Sequence, residues 1–160
     1  ANINEKAVKN LKNDKYDALK IAKAKATHLS KKNKNKIIIT FDTTILHMGK
    51  TIYKCHTKKC CKNTLKSFNN TSHNLYTGMV FMINNSLIRS SLTKTKIVFK
   101  KNKIIDLNKY VERYFNQISS AVGCYNVEGK GKTFFKNIEK SYFNVIGIDI
   151  INFLKILRSI

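Results

Sequence analysis

The sequence predicts an α/β domain, one sheet covered on its faces by helices. Apolar, β-branched runs of strand length alternate with segments whose apolar residues recur at three- and four-residue steps. The clearest run, Ile37-Ile38-Ile39-Thr40-Phe41-Asp42-Thr43-Thr44-Ile45-Leu46, reads as a buried central strand. A length of 160 residues suits one domain with a real core, and 42% apolar residues is a globular composition.

In chain order, residues 5 to 32 read as a helix, because Tyr16, Leu19, Ala22, Ala26 and Leu29 share one face and Lys dominates the other. Lys31 to Lys36 is a charged break before the strand at 37–46. His47 to Lys50 reads as a turn in which Gly49 supplies backbone freedom, with Thr51 to Tyr53 returning as a hairpin. A second helix spans Lys58 to Phe68, with Cys61, Leu65 and Phe68 on one side. Leu75 to Ile83, broken at Gly78, and Leu87 to Phe99 read as strands. Leu107 to Phe115 reads as a short helix capped by Asp106. Gly123, Gly129 and Gly131 mark a glycine-dense stretch. Thr133 to Ile138 and Tyr142 to Ile146 read as strands, and Asp149 caps a last helix with Ile150, Phe153, Leu154 and Leu157 on its apolar face.

The formal charge of +22 invites a nucleic-acid partner. The excess is nearly all Lys, however, accompanied by abundant Asn and Ile and no Pro or Trp, as an A/T-rich codon bias would write it. Arg, the residue suited to bidentate phosphate and base recognition, occurs only as Arg89, Arg113 and Arg158. Nucleic acid is therefore the weaker partner reading, and an anionic small substrate such as a nucleotide fits the same charge. No run approaches the ~18 apolar residues of a membrane span. Ala1 to Asp14 is polar and reads as no leader, and a start at Ala reads as a fragment or processed form. Cys55, Cys60, Cys61 and Cys124 are too few and clustered for a disulfide framework, so a reducing compartment is expected.

Asp42 interrupts the apolar run at 37–46. A buried carboxylate needs a cation, a metal or a hydrogen-bond network, either at a site or in a structural strand-end turn. Carboxylates are scarce, which makes Glu5, Asp42, Glu128 and Asp149 the candidates for metal or water activation. Glu128-Gly129-Lys130-Gly131-Lys132-Thr133 is not a phosphate-binding P-loop: its first glycine would fall on Asn126, and Phe134-Phe135 continues as strand rather than helix. Cys55, His56, Cys60 and Cys61 are metal-ligand types without the paired Cys-x-x-Cys spacing, so buried thiols are the plainer reading. His47 and His73, beside turns, suit hydrogen-bonding roles.

Read together, these segments resemble the Maf family of nucleoside triphosphate pyrophosphatases. Phe41-Asp42-Thr43-Thr44-Ile45-Leu46, Gly49 and Lys54 resemble its Ala-Asp-Thr … Gly … Gly-Lys-Pro core. Ile3-Asn4-Glu5 is similar to its Ile-Asp-Glu, and Tyr16 with Ala22-Lys23-Ala24-Lys25-Ala26 to its Tyr … Leu-Ala-x-x-Lys-Ala helix. His73-Asn74-Leu75-Tyr76-Thr77-Gly78, Thr95-Lys96-Ile97-Val98-Phe99, Gly123-Cys124-Tyr125-Asn126-Val127-Glu128-Gly129 and Tyr142-Phe143-Asn144-Val145-Ile146-Gly147 resemble further motifs of the family, in order. Departures are also present. The family's opening Ser-x-Ser-Pro-Arg-Arg phosphate loop has no counterpart. Cys55 and Asp149 replace prolines, Ala121 stands where the family carries Lys, and Glu128 stands where it carries Gln.

The resemblance implies a single Maf-like domain over 1–160 that lacks the family's first strand and phosphate loop. Its fold would be a mixed, twisted sheet flanked by helices, with two lobes and a cleft. The implied reaction is hydrolysis of the α–β phosphoanhydride of a non-canonical or pyrimidine nucleotide, giving monophosphate and pyrophosphate, with turnover weakened by the missing loop. Asp42, Lys54 and Lys25 would be catalytic, Thr43 and Glu128 substrate-binding, and Glu5 and Asp42 ligands of Mg²⁺ or Mn²⁺. Thr43 goes with uridine- and thymidine-type substrates and Glu128 with methylated guanine, so the base stays open. Family analogy adds a cytoplasmic homodimer. The alternatives are a catalytically degenerate family member or a basic nucleic-acid-binding module.

Overall fold

The computed structural model describes residues 3, 8, 13–140 and 142–159. Its elements run α1 (Asp17–Lys32), β1 (Ile38–His47), β2 (Lys50–Ile52), α2 (Lys58–Phe68), β3 (Ser72–Ile83), β4 (Ser86–Phe99), α3 (Ile104–Ile118), a 3₁₀ turn (Lys130–Phe134), β5 (Phe135–Glu139), α4 (Tyr142–Ile146) and α5 (Ile150–Leu157). One five-stranded sheet has the order β2-β1-β3-β4-β5. The expected α/β sheet flanked by helices is present, and among the described residues its ladders are all antiparallel.

Antiparallel neighbours need only tight turns, and Asn and Gly provide them. Met48 and Gly49 join β1 to β2 at φ of 48° and 74°, and Asn84 and Asn85 join β3 to β4 at 48° and 64°. Left-handed residues at both central positions match the twist of a two-residue hairpin.

Alternating side chains give the sheet two different faces. On one face α1 lays Ala22 and Ala26 against Val80 and Met82, and Thr40 Oγ1 donates to the Ala22 carbonyl at 2.7 Å. Small residues on the helix bring its backbone close to the strands. Gly78 takes that approach furthest: a Cβ there would lie 2.5 Å from Leu19 Cα. This is why Gly78 does not break β3, which runs uninterrupted from Ser72 to Ile83. On the other face Ile45, Leu65, Phe68, Leu75, Ile97 and Phe99 form the main core with Leu107, Val111 and Ile118 of α3.

Four local expectations change. The described helix begins at Asp17, and most of its expected first turns, with Glu5, lie outside the described residues. α3 extends a turn beyond the expected span at its start: Lys103 is its cap, and Asp106 sits in the first turn, where its charge still meets the positive helix end. The segment expected as a strand from Thr133 opens as the 3₁₀ turn, with β5 starting at Phe135. Tyr142–Ile146, expected as a strand, is the short helix α4. Its Asn144 side chain donates to Thr95 Oγ1 at 3.0 Å and the Thr93 carbonyl at 3.3 Å, while its own carbonyl accepts from Thr77 Oγ1 at 3.2 Å. A single buried Asn thereby ties α4 to two strands, and this tertiary fit overrides the strand propensity of an aromatic, β-branched run.

Candidate active site

Asp42 lies mid-way along β1 with its side chain on the α1 face, opposite Gly78 in register. The bare backbone at Gly78 admits α1, and α1 delivers Lys25, whose ammonium donates to the Asp42 carboxylate. Lys25 and Asp42 expose only 16% and 8% of their side chains, so the pair is held where water screens it weakly. A carboxylate at this depth needs such a partner, as the sequence indicated.

Asp42 is nevertheless open on one side. It lines a cavity of about 180 Å³ with Phe41, Thr43, Lys54, Ser120, Val122 and Gly147. β2 pairs only with Ile45–His47, so Lys54, two residues beyond β2, turns back towards Asp42. A second cavity of about 240 Å³ contains Thr43, Glu128, Gln117, Ala121, Tyr125 and Asn126. Thr43, Val122 and Gly147 line both, so the two cavities are the halves of one cleft. Asp42 and Lys54 line one end and Glu128 the other, and Lys25 reaches the site only through its contact with Asp42. Thr43 marks the junction, its Oγ1 2.9 Å from Thr77 Oγ1.

The structure thus brings together Asp42, Lys25, Lys54, Thr43 and Glu128. Glu5, the other expected metal ligand, falls outside the described residues. Asp149 does not join the cleft's lining: it is a buried cap of α5, accepting from Asn152 N at 3.3 Å and from the Thr93 hydroxyl. Its carboxylate is spent on structure. The Glu128–Thr133 segment opens only a five-residue 3₁₀ turn, in keeping with its rejection as a P-loop.

Both histidines have hydrogen-bonding roles. His47 Nε2 faces the Ser67 carbonyl at 3.0 Å and Nδ1 the Ser72 carbonyl at 3.3 Å. His73 Nε2 meets the Tyr125 hydroxyl at 2.8 Å and its ring stacks on Phe68 at 4.0 Å between centroids. Burial, with a smaller contribution from His47, pushes the His73 pKa down to about 3. His73 is therefore a neutral core group that holds Tyr125, a wall of the larger cavity, and not a proton donor at neutral pH.

Ser120, Gln117 and Val122 belong to the cleft without having been singled out in the sequence. Gly147, the last residue of the Tyr142–Gly147 segment that resembles a family motif, lines both cavities at φ +102°. Ala121, the position where the family pattern carries a cation, faces the larger cavity.

A family profile described as Maf-like protein matches residues 1–160. The chain belongs to the Maf family. Among its relatives are proteins named dTTP/UTP pyrophosphatase. That of Pyrococcus furiosus is 28% identical over 159 residues, covering 99% of this chain and 81% of the relative. That of Carboxydothermus hydrogenoformans is 28% identical over 142 residues, covering 88% and 75%. A Brucella suis protein named 7-methyl-GTP pyrophosphatase is 25% identical over 138 residues, covering 86% and 69%. Among the described residues no helix is long and apolar enough to cross a membrane.

Proposed function

We propose that the chain is a nucleoside triphosphate pyrophosphatase that hydrolyses the α–β phosphoanhydride, releasing a monophosphate and pyrophosphate. The observation that carries this is the cleft lined by a carboxylate, Asp42, and a lysine, Lys54, at one end and by a separate carboxylate, Glu128, at the other, with Lys25 paired to Asp42 behind the lining. A nucleoside triphosphate has the same polarity, a polyanion at one end and a hydrogen-bonding base at the other. The family's relatives carry names of this activity.

In this reading Lys54 binds the phosphates as a mobile point charge. Lys25 fixes the Asp42 carboxylate in place and adds positive charge beside the reacting phosphorus. Asp42 accepts a proton from the attacking water as the oxygen closes on phosphorus. Thr43 and Glu128 contact the sugar and base. The oxygen donors facing the Asp42 cavity, its carboxylate with the Thr43 and Ser120 hydroxyls, fit a hard cation such as Mg²⁺ or Mn²⁺, which suits one or two carboxylates plus substrate oxygens. When bound, such an ion would neutralise phosphate charge. The substrate class spans pyrimidine and methylated-guanine triphosphates.

The reading extends to a homodimer acting in the cytoplasm. Ile151, Leu154 and Leu157 of α5 are 54%, 46% and 43% exposed, while Phe153 of the same helix packs on Phe41 and Phe81. One side of α5 is docked and the other offers apolar surface to a second copy.

The test is pyrophosphate release from a panel of nucleoside triphosphates with Mn²⁺, comparing the native chain with Asp42→Asn. Asn keeps the shape and an acceptor oxygen but cannot serve as the base. The expected result is a loss of turnover of about 100-fold or more with an unchanged circular dichroism spectrum. Near-native turnover in the variant removes Asp42 from the mechanism.

A further inference from the structure

The chain contains four cysteines, and the fold gathers all of them. Cys55 follows Lys54 in the loop after β2, Cys60 and Cys61 lie in the first turn of α2, and Cys124 lies in the loop after α3. The sulfur atoms of Cys55, Cys61 and Cys124 lie within 4.8 Å of one another. Where the sequence suggested buried thiols, Cys60 is exposed and joined to Cys55 by a disulfide, because the loop after β2 folds back on the first turn of α2, and this puts the fourth sulfur in the same cluster. Sequence spacing could not show this, because Cys124 arrives from a distant segment.

We propose that Cys55, Cys60, Cys61 and Cys124 of the reduced chain form a closed, four-thiolate binding site for one zinc ion.

Geometry supports this first. Zinc–sulfur bonds of about 2.3 Å in a tetrahedron place sulfurs about 3.8 Å apart, so the three buried sulfurs need to close by at most about 1 Å, while those of Cys55 and Cys60 part once reduced. Cys55, Cys61 and Cys124 are 2%, 0% and 0% exposed, the dry setting of a structural site, whereas catalytic zinc keeps an open position.

Electrostatics supports it second. Four thiolates around zinc carry a net charge of about −2, which an apolar core would reject without compensation. Here the Thr64 hydroxyl lies 3.4 Å from the Cys55 sulfur, a hydrogen-bonding contact from outside the cluster. Cys60 and Cys61 stand at the positive end of α2, in a first turn that also carries Lys59 and Lys58, the latter paired with Glu112 at 2.6 Å. Such outer contacts stabilise metal-bound thiolates. The alternative is a pair of inert thiols, Cys61 and Cys124, beside a disulfide. Burial pushes the Cys124 thiol up, as that alternative requires, but a coordinating metal deprotonates a thiol outright.

The disulfide sets the order of events. A dithiol reductant donates two electrons and two protons to Cys55–Cys60, giving two thiols, and becomes a disulfide itself. Zinc then binds four thiolates and four protons leave to solvent, with no change of oxidation state. Bound metal would fasten the segment behind Lys54 to α2 and to the loop carrying Ser120 and Val122. Those segments form two walls of the Asp42 cavity. This last consequence rests on the proposed function, whereas the metal site does not.

The experiment uses the full chain reduced with a phosphine under nitrogen and titrated with Co²⁺, then Zn²⁺. Tetrahedral cobalt–thiolate complexes give strong charge-transfer absorption that zinc abolishes on displacement. The expected result is one equivalent bound, a higher melting temperature with zinc, and an affinity at least about 100-fold weaker in Cys60→Ser. Cys60 is an exposed residue, so that variant tests ligation without emptying the core. Absence of the charge-transfer band in the reduced chain, or cobalt binding unchanged in either Cys60→Ser or Cys124→Ala, overturns the proposal. These readouts are independent of pyrophosphate release, so an inactive chain that binds zinc and an active chain that does not are separate outcomes.

Discussion

Replacing Gly78 with Ala tests how the fold builds the site. Gly78 faces Asp42 across the β1–β3 ladder and lies under the backbone of α1. A Cβ at this position would stand 2.5 Å from Leu19 Cα, 2.6 Å from Leu19 N and 2.7 Å from the Ala18 carbonyl carbon. Ordinary carbon contacts begin near 3.5 Å, so α1 must retreat by about 1 Å. The obstruction is helix backbone, which has no rotamer to change. Overpacking of this kind costs about 1–3 kcal/mol, and contact with rigid backbone places Gly78→Ala in the upper half of that range. For a chain of this size 2–3 kcal/mol lowers the melting temperature by about 4–12 °C. The same retreat carries Lys25 away from Asp42, and a displacement of about 1 Å in a catalytic constellation costs about 100-fold in turnover. Melting followed by circular dichroism and pyrophosphate release from triphosphates measure the two effects. Gly129→Ala is the control, because its Cβ would meet only the Asn126 side chain, at 3.3 Å or more, and little change in stability is expected. A Gly78→Ala chain that melts and turns over like the native one would refute both the packing argument and the role of α1 in delivering Lys25.

The other expectations are more local. His73 stays neutral in the folded chain down to about pH 3 but takes up a proton near 6.5 when unfolded. The unfolded state thus binds more protons across that window, so stability falls as pH drops through it, by up to about 1.4 kcal/mol per pH unit. Urea midpoints at pH 7 and 4.5 should shift less in His73→Gln, and an identical shift in both chains contradicts the assignment. Glu128→Gln is expected to change the ratio of kcat/KM among pyrimidine and methylated-guanine triphosphates without abolishing turnover; a uniform change across the panel would place Glu128 away from the base. Ile151→Lys combined with Leu154→Lys is expected to give a folded monomer in sedimentation, whereas a retained dimer assigns the interface to another surface.

The sequence made the strand carrying Asp42 legible because ten consecutive residues fit one pattern, and the α2 face of Cys61, Leu65 and Phe68 was legible at i, i+4, i+7 spacing. What it could not supply was convergence. Nothing in the spacing of Lys25 and Asp42 says they meet; the clue was distributed over Ala22, Ala26 and Gly78, whose missing bulk lets α1 descend. Asp149 and Asp42 look alike in sequence, yet one is consumed as a helix cap while the other faces a cavity. Tyr142–Ile146 misled because five residues are too few for periodicity to separate strand from helix, leaving Asn144 to decide. Cys124 was silent for the same reason as Lys25: its partners lie on elements distant in the chain.

The position of the cleft follows from where strand pairing stops. Side chains alternate along β1, so Asp42 points towards α1 and Thr43 towards α4, and in a sheet interior no single cavity could touch both. They share one here beyond the end of the β1–β2 ladder, which runs only from Ile45 to His47. A cavity at a strand edge reaches around the backbone to both faces. It can therefore combine an acid held by one helix with a hydroxyl held by another strand, and the short β2 that opens this edge is the same feature that turns Lys54 back into it. Pairing of another segment along 38–44 would close that access from the side, so occupancy of this edge and exposure of Asp42 to substrate are opposed. Protection of the Thr43 amide from hydrogen exchange, compared with and without a bound nucleotide, reads that opposition directly.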